Sequence, residues 1–449
     1  MTYNLVDTIQ GSLYVFIIAV ITFYSGAIVW KERESKVHDI YDALPYPDWL
    51  PVVSKTLAMY IAVLLLLVLG ACTGIVTQLL NGFTDLRLEV YAVQLLVSDS
   101  LAFLSLIILS IFIHSMVNHR YLGYFLFIAV LILNSFVWPE LDVSSKLVIY
   151  AATPGLTYSD MNAFGPFLLG KMAFKAYWLL VGSVLVALAI LFWARGRESH
   201  FRARTRIAGT RATALRPVLL SLVSAWLICG GWLFYNTKVL NTFTTPDQGN
   251  KQSADYEKLY KRYEGRNQPR VIDLDYHIEL YPEERRLEVS CKQRMKNKGT
   301  TAIDTLYFTY ATAYDAKIQI PGSKNLLNDT ALGFAMYKLP KPLMPGDTME
   351  ISMNLDYFPE GIENEITITS IVDNGSFFSQ DILPQIGYQA GYEMTDKNDR
   401  KEYELPVRTR MPKLSEDPSK RMNSYISNNS DWVHVKSVFG TAGDQIAIA

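Results

Sequence analysis

The chain has 449 residues, with 42 Lys and Arg against 43 Asp and Glu, and half of its residues are hydrophobic. Its net charge of -1 argues against a nucleic acid partner, and its three cysteines are too few for a disulfide framework. Divided after residue 236, the first part has 16 basic and 13 acidic residues, a net +3, while the rest has a net -4.

The first part is built of long uncharged runs. An apolar stretch of about 18 or more residues can cross the roughly 30 Å hydrocarbon core of a bilayer as a helix. Six stretches qualify or nearly do, at 8–30, 53–80, 91–116, 121–139, 172–194 and 217–235. Basic residues are retained on the cytoplasmic side of short loops. The loop from Arg195 to Arg216 carries seven arginines and one acid, Glu198, so it faces inward, and topology or anionic headgroups explain its charge. Counting outward puts 31–51 and 118–121 inside, and 81–89, 139–166 and everything after the sixth span outside. No Lys or Arg precedes the first apolar run, so it does not read as a cleavable signal. An external start, and an end inside the strand-like run Asp444 to Ala449, suggest a piece of a longer chain.

In the first inner loop, Val37, Ile40, Tyr41 and Leu44 fall at i, i+3, i+4 and i+7, so they share one face of a short amphipathic helix ended by Pro45 and Pro47. Two readings stay open: a helix resting on headgroups, or a docking helix for a cytoplasmic motor. Within the spans, Asp99 is the acid embedded in an apolar segment, which makes it a candidate functional residue on a transport path. Flanking Ser98 and Ser100 leave a structural hydrogen-bonding role equally open. His114 reads as interfacial, and Lys171 and Lys175 are expected to snorkel to the outer headgroups. Cys72 and Cys229 fall in spans, leaving Cys291 alone in the outer part.

Residues 237–270 are polar and read as a stalk or linker with one short helix. The period then changes to the alternation of half-buried strands at 271–281 and 287–291. Further strands are expected at 303–310, 317–320, 333–339, 348–357 and 365–371, with turns at Pro345-Gly-Asp347 and Asp373-Asn-Gly375. The expected fold is therefore a membrane α-helical bundle of about six transmembrane helices, residues 1–236, followed by an all-β antiparallel sandwich, residues 271–449.

Two resemblances add to this reading. The E-R-E triplet after a span, then a helix, an A-L-P-x-P segment and Ser54-Lys55 opening the next span, resembles the permease subunits of type-two ABC exporters. That resemblance implies a coupling helix contacting an ATPase, with Glu32, Arg33, Glu34, Ile40, Ala43 and Leu44 as contacts. The chain lacks the phosphate-cradling G-x-x-x-x-G-K-[ST] loop, so ATP would bind a separate ATPase subunit. Membrane lipid and a second permease half, or a second copy of this chain, are the other partners implied.

The order D-x-H-I-E-L-Y-P-E-x-R-x-L-x-V, I-D-x-L-x-F, K-L-x-x-P-L-x-P-G-D, G-S-F-F, L-P-Q-I-G-Y-Q, D-W-V and D-Q-I-A-I-A resembles the N-terminal sandwich of aminopeptidase N-like zinc peptidases. The whole chain resembles bacterial fusions of an ABC permease to such a domain. Catalysis in that family uses H-E-x-x-H and a distant Glu around zinc, and no two of the six histidines have that spacing. This chain alone is therefore expected to have no peptidase activity, no metal ligands and no cofactor, zinc entering only with a downstream domain. His277 and His434 read as ordinary sandwich residues. By position, Gln380 and Asp381 are the counterparts of residues that bind the substrate amine, although the segment after Pro384 departs from the family's acidic consensus. A membrane-anchored zinc aminopeptidase truncated before its catalytic domain, and a non-enzymatic scaffold, are the alternative readings.

Overall fold

The computed structural model describes residues 2–195, 201–408, 413, 415, 432–443 and 445–448, and only the backbone of 201–203 and 380. Arg197, Glu198, His200, Asp431, Asp444 and Ala449 lie outside the described residues, as do the side chains of Arg202 and Gln380. Two compact units are formed, one from 1–243 with 361–367, the other from 244–360 with 368–449.

Among the described residues the first unit contains six helices long and apolar enough to cross a membrane. They are α1 (Thr2–Glu34), α3 (Leu50–Leu80), α4 (Leu88–Met116), α5 (Arg120–Glu140), α6 (Gly165–Phe192) and α7 (Phe201–Phe234), with the short α2 (His38–Tyr41) between α1 and α3. At 1.5 Å per residue the 33 residues of α1 extend about 50 Å, longer than a hydrocarbon core. Val63 and Leu67, one turn apart on α3, join Ile17, Phe103, Ile107 and Phe127 in the core. Leu65, Phe125, Leu169 and Ile228 point outward and are exposed, as lipid-facing side chains must be. Gly70 and Gly74 let α1 approach α3: a Cβ on Gly70 would lie 2.6 Å from Leu13, and one on Gly74 2.8 Å from Ile9.

The 141–164 connection is folded among the helices of this unit. Its carbonyls at Lys146 and Ala152 accept from the Trp178 indole at 3.2 and 2.9 Å. Leu147 accepts from Tyr177 at 3.1 Å, Tyr150 from Asn134 at 3.1 Å and Pro154 from Lys171 at 3.1 Å. Tyr150 in turn donates to the Ser105 carbonyl in α4 at 2.8 Å. Irregular backbone packed against spans needs such partners because lipid offers none.

Residues 365–371, expected as a strand, form none. Instead 361–367 belongs to the first unit: Ile362 is buried with Phe174 and Tyr177, and Asn364 bonds the Ser144 carbonyl and the Lys146 amide, each at 3.1 Å. Glu365 itself is taken up by the 141–164 connection, its carbonyl accepting the Gly155 amide and its carboxylate pairing with Lys146, each at 2.6 Å.

The second unit is a β-sandwich. Strands β1 (Arg270–Tyr281), β2 (Arg286–Lys296), β3 (Ile303–Thr309), β4 (Ala316–Gln319), β5 (Lys324–Asp329), β6 (Phe334–Leu343), β7 (Thr348–Tyr357), β8 (Gln385–Ile386) and β9 (His434–Gly440) form sheets ordered β4-β7-β2-β1-β9 and β5-β6-β3-β8. Pairing is antiparallel except for β1 with β9. Leu287, Val289, Cys291 and Met295 from one sheet pack on Leu306, Phe308 and Ala335 from the other. The segment expected as a stalk contains α8 (Pro246–Tyr260), started by a Thr245–Gln248 capping box, which packs on the sandwich rather than standing free. Its Tyr256 and Tyr260 are buried with Phe334, and the Tyr260 and Phe334 rings stack at 4.0 Å. The short α9 (Lys397–Glu402) supplies Arg400 to the same side.

Candidate functional site

Two polar arrangements in the helical unit are candidates for function. Gln10 of α1 donates to Asp99 of α4 at 2.8 Å, Gln94 donates to Gln10 at 3.0 Å, and Gln94 reaches Asp7 at 3.4 Å. A line of side-chain dipoles therefore joins Asp7 to Asp99. Gln94 and Asp99 lie on a π-helical run, Tyr91–Asp99, whose wider turn is frequent at functional sites. Lys171 and Lys175 of α6 interact electrostatically with Asp99. Lys175 is 5% exposed, so it does not snorkel as expected. Lys171 turns to the Pro154 carbonyl instead of toward headgroups. For Lys171 snorkelling loses because the folded 141–164 segment offers a carbonyl acceptor. Ser100 bonds the Leu96 carbonyl and receives Tyr60 at 3.3 Å, so it does not serve Asp99.

The second arrangement surrounds α2. Ile40, Ala43 and Leu44 are exposed, as are Val37 and Tyr41, with Ile40 74% exposed. The other three expected contacts fasten the helix ends. Glu32 pairs with buried Lys55 at 2.6 Å, Arg33 donates to the Ala194 carbonyl at 3.2 Å, and Glu34 receives Arg120 at 2.9 and 3.0 Å.

Arginines that read as topology markers hold this end together. Arg195 donates to the carbonyls of Asp42, Leu44 and Tyr46 and pairs with Asp48 at 3.0 Å, its guanidinium 4.4 Å from the Tyr46 ring centre. Burial, then the bond to Asp42, raises the Tyr46 phenol above its ordinary range. Arg211 of α7 also pairs with Asp48 at 3.0 Å and donates to the carbonyls of Ile190, Leu191 and Trp193. Sequence gave no sign of this, since carbonyl acceptors carry no residue signature.

In the sandwich, Asp381 receives Ser379 at 3.0 Å and Gln385, a local turn network, and the Gln380 side chain is not described. His277 lies 3.1 Å from Glu279, and His434 3.5 Å from Asp273, all partly or well exposed. Among the described residues no group of three or more His, Cys, Asp or Glu is arranged to hold a metal ion, and the three cysteines are free.

No family model matches this chain, and no curated protein matches it. Among solved structures it is similar in part to an M1 zinc metallopeptidase from Deinococcus radiodurans, at 17% identity over 22% of this chain and 21% of that one, with a TM-score of 0.16. A mutant M1 zinc metallopeptidase from the same organism, bound to a Tyr-Ser-Ala substrate, aligns at 16% identity over 26% of this chain and 30% of that one, with a TM-score of 0.17. The chain thus spans less than a third of either structure.

Proposed function

We propose that this chain is the permease component of an ABC-type exporter in a bacterial cytoplasmic membrane, carrying an extracytoplasmic aminopeptidase N-like sandwich. The observation that supports it most is the α2 segment, which presents an exposed apolar face while Arg195 fixes its backbone. An exposed apolar patch on a rigid mount suits a protein partner. A separate ATPase subunit docked there would move the 42–48 loop. Asp48 would pass that motion to Arg195, which follows α6, and to Arg211 of α7. Displacement of α6 would shift Lys175 relative to Asp99, alternating the access of the polar line. Six spans also exceed what anchoring a peptidase requires.

The test places a photo-crosslinking residue at Ile40 of the full-length protein in native membranes. The expected product contains a protein that has a G-x-x-x-x-G-K-[ST] loop and binds ATP, and Leu44→Glu abolishes it. Crosslinks to lipid alone would leave α2 an interfacial helix and remove the exporter reading.

A further inference from the structure

His114, near the end of α4, is 1% exposed, and the Trp30 indole donates to its Nδ1 at 3.2 Å. A nitrogen that accepts carries no proton, so the neutral ring holds its proton on Nε2 and that atom is a donor. This Nε2 is buried without a hydrogen-bond partner among the described residues. Glycines permit the position: a Cβ on Gly123 would lie 2.2 Å from the ring and one on Gly26 2.8 Å from Nε2.

Arg204 of α7, 3% exposed, donates from Nη1 to the Ser115 carbonyl at 2.8 Å. Its Nη2 donates to the Val117 carbonyl at 3.3 Å and to Asn118 at 2.6 Å. Its Nε is likewise buried without a partner among the described residues. Both orphan donors belong to residues lining one partly open cavity of ≈ 20 Å³, together with Trp30, Arg33, Ser115 and Trp193. No carboxylate lines it, and the Arg33 and Arg204 charges repel one another. The volume suits one oxygen atom. Two buried donors and the Arg204 guanidinium, whose bonds among the described residues go to two carbonyls and an amide oxygen, ask for that oxygen to be charged.

We propose that this cavity is a binding site for a phosphate-type anion, which inserts one oxygen between His114 Nε2 and Arg204 Nε while Arg33 neutralises its charge. An inner-leaflet phospholipid headgroup and a soluble phosphate share this chemistry. The site is independent of the exporter reading.

Native mass spectrometry of the full chain in phosphate-free detergent tests it with three probes: dioctanoyl phosphatidylglycerol, dioctanoylglycerol with the same tails and no phosphate, and inorganic phosphate. Phosphatidylglycerol should be retained over dioctanoylglycerol, about tenfold more weakly in Arg33→Gln, with Arg33→Lys recovering part of the loss. The same pattern with inorganic phosphate alone supports the site and makes its ligand soluble. Retention equal to dioctanoylglycerol, or undiminished in both Arg33→Gln and Arg204→Lys, overturns the proposal and leaves a water-filled void. Melting temperatures check that the variants are folded.

Discussion

Replacing Glu257 with Gln removes the centre of the network that ties α8 to the sandwich. Arg400 grips Glu257 in a fork, with bonds of 2.7 and 2.8 Å, and the two side chains are 3% and 2% exposed. Lys261 bridges Glu257 to Glu393, 3.0 Å from each, and Arg408 lies 3.4 Å from Glu393. In Glu257→Gln the Arg400 charge loses its ionic fork and keeps the carbonyls of Met394 and Pro406, one neutral amide oxygen and the more distant Glu393 carboxylate. Leaving a buried charge without its partner costs about 3–5 kcal/mol. At about 2–4 °C per kcal/mol for a unit of this size, melting falls by roughly 6–20 °C.

Burial opposes ionisation of Glu257, but the bonds from Arg400 and Lys261 outweigh it and hold the carboxyl below its ordinary range. A carboxyl depressed on folding contributes stability above its unfolded pKa of about 4.3 and loses it as pH falls through the lower folded value. Wild type should therefore weaken on acidification below about pH 4.3, and Glu257→Gln should lack that part of the slope. Lys261 has the opposite sense: its amine is raised despite burial, by Glu257 and Glu393, so its contribution disappears only as pH rises beyond about 10.4. The assay is amide hydrogen exchange of the 246–260 peptide in the full chain, across temperature and pH. A loss under about 1 kcal/mol, or an acid slope equal to wild type, would refute the reasoning.

Arg195→Ala should free the 42–48 loop, raising amide exchange there by roughly tenfold to a hundredfold, since charge-assisted bonds contribute about 1.5–3 kcal/mol; unchanged exchange means the clamp is idle. Phe334→Ala should cost about 3–5 kcal/mol, because the ring is fully buried between Tyr260 and its neighbours, and chemical denaturation reads it as a lower midpoint. Asp99→Asn and Lys175→Met should each lower the melting temperature in detergent, the double variant losing less than the sum by about 0.5–3 kcal/mol. Strict additivity would mean that the two charges do not cooperate.

The helices were legible because an uncharged run about 20 residues long has few other destinations than a bilayer. The β1–β2 hairpin was legible from alternation, with Arg285 at φ 56° closing its turn. Strand β5, with Lys324, Asn325, Asn328 and Asp329 on a largely exposed edge, lacked an apolar face to announce it. Strand β9 pairs parallel with β1, a partner more than 150 positions away. The α2 segment was expected from spacing to carry one helical face from Val37 to Leu44, but only His38–Tyr41 is helical, so Leu44 lies beyond the helix. The roles of Lys175, His114 and Arg204 were not readable, because each is set by neighbours contributed from other helices.

Sequence by itself determined which segments leave water, since transfer of apolar area depends on composition and length. It also determined the change from helical to alternating period after residue 270. Only the tertiary structure decided what the polar side chains inside those segments do. Carbonyls of the 141–164 connection and the Asp99 carboxylate acquire partners through packing, the buried donors of His114 and Arg204 are left without one among the described residues, and a hydrogen bond across two helices depends on distances that no single segment encodes.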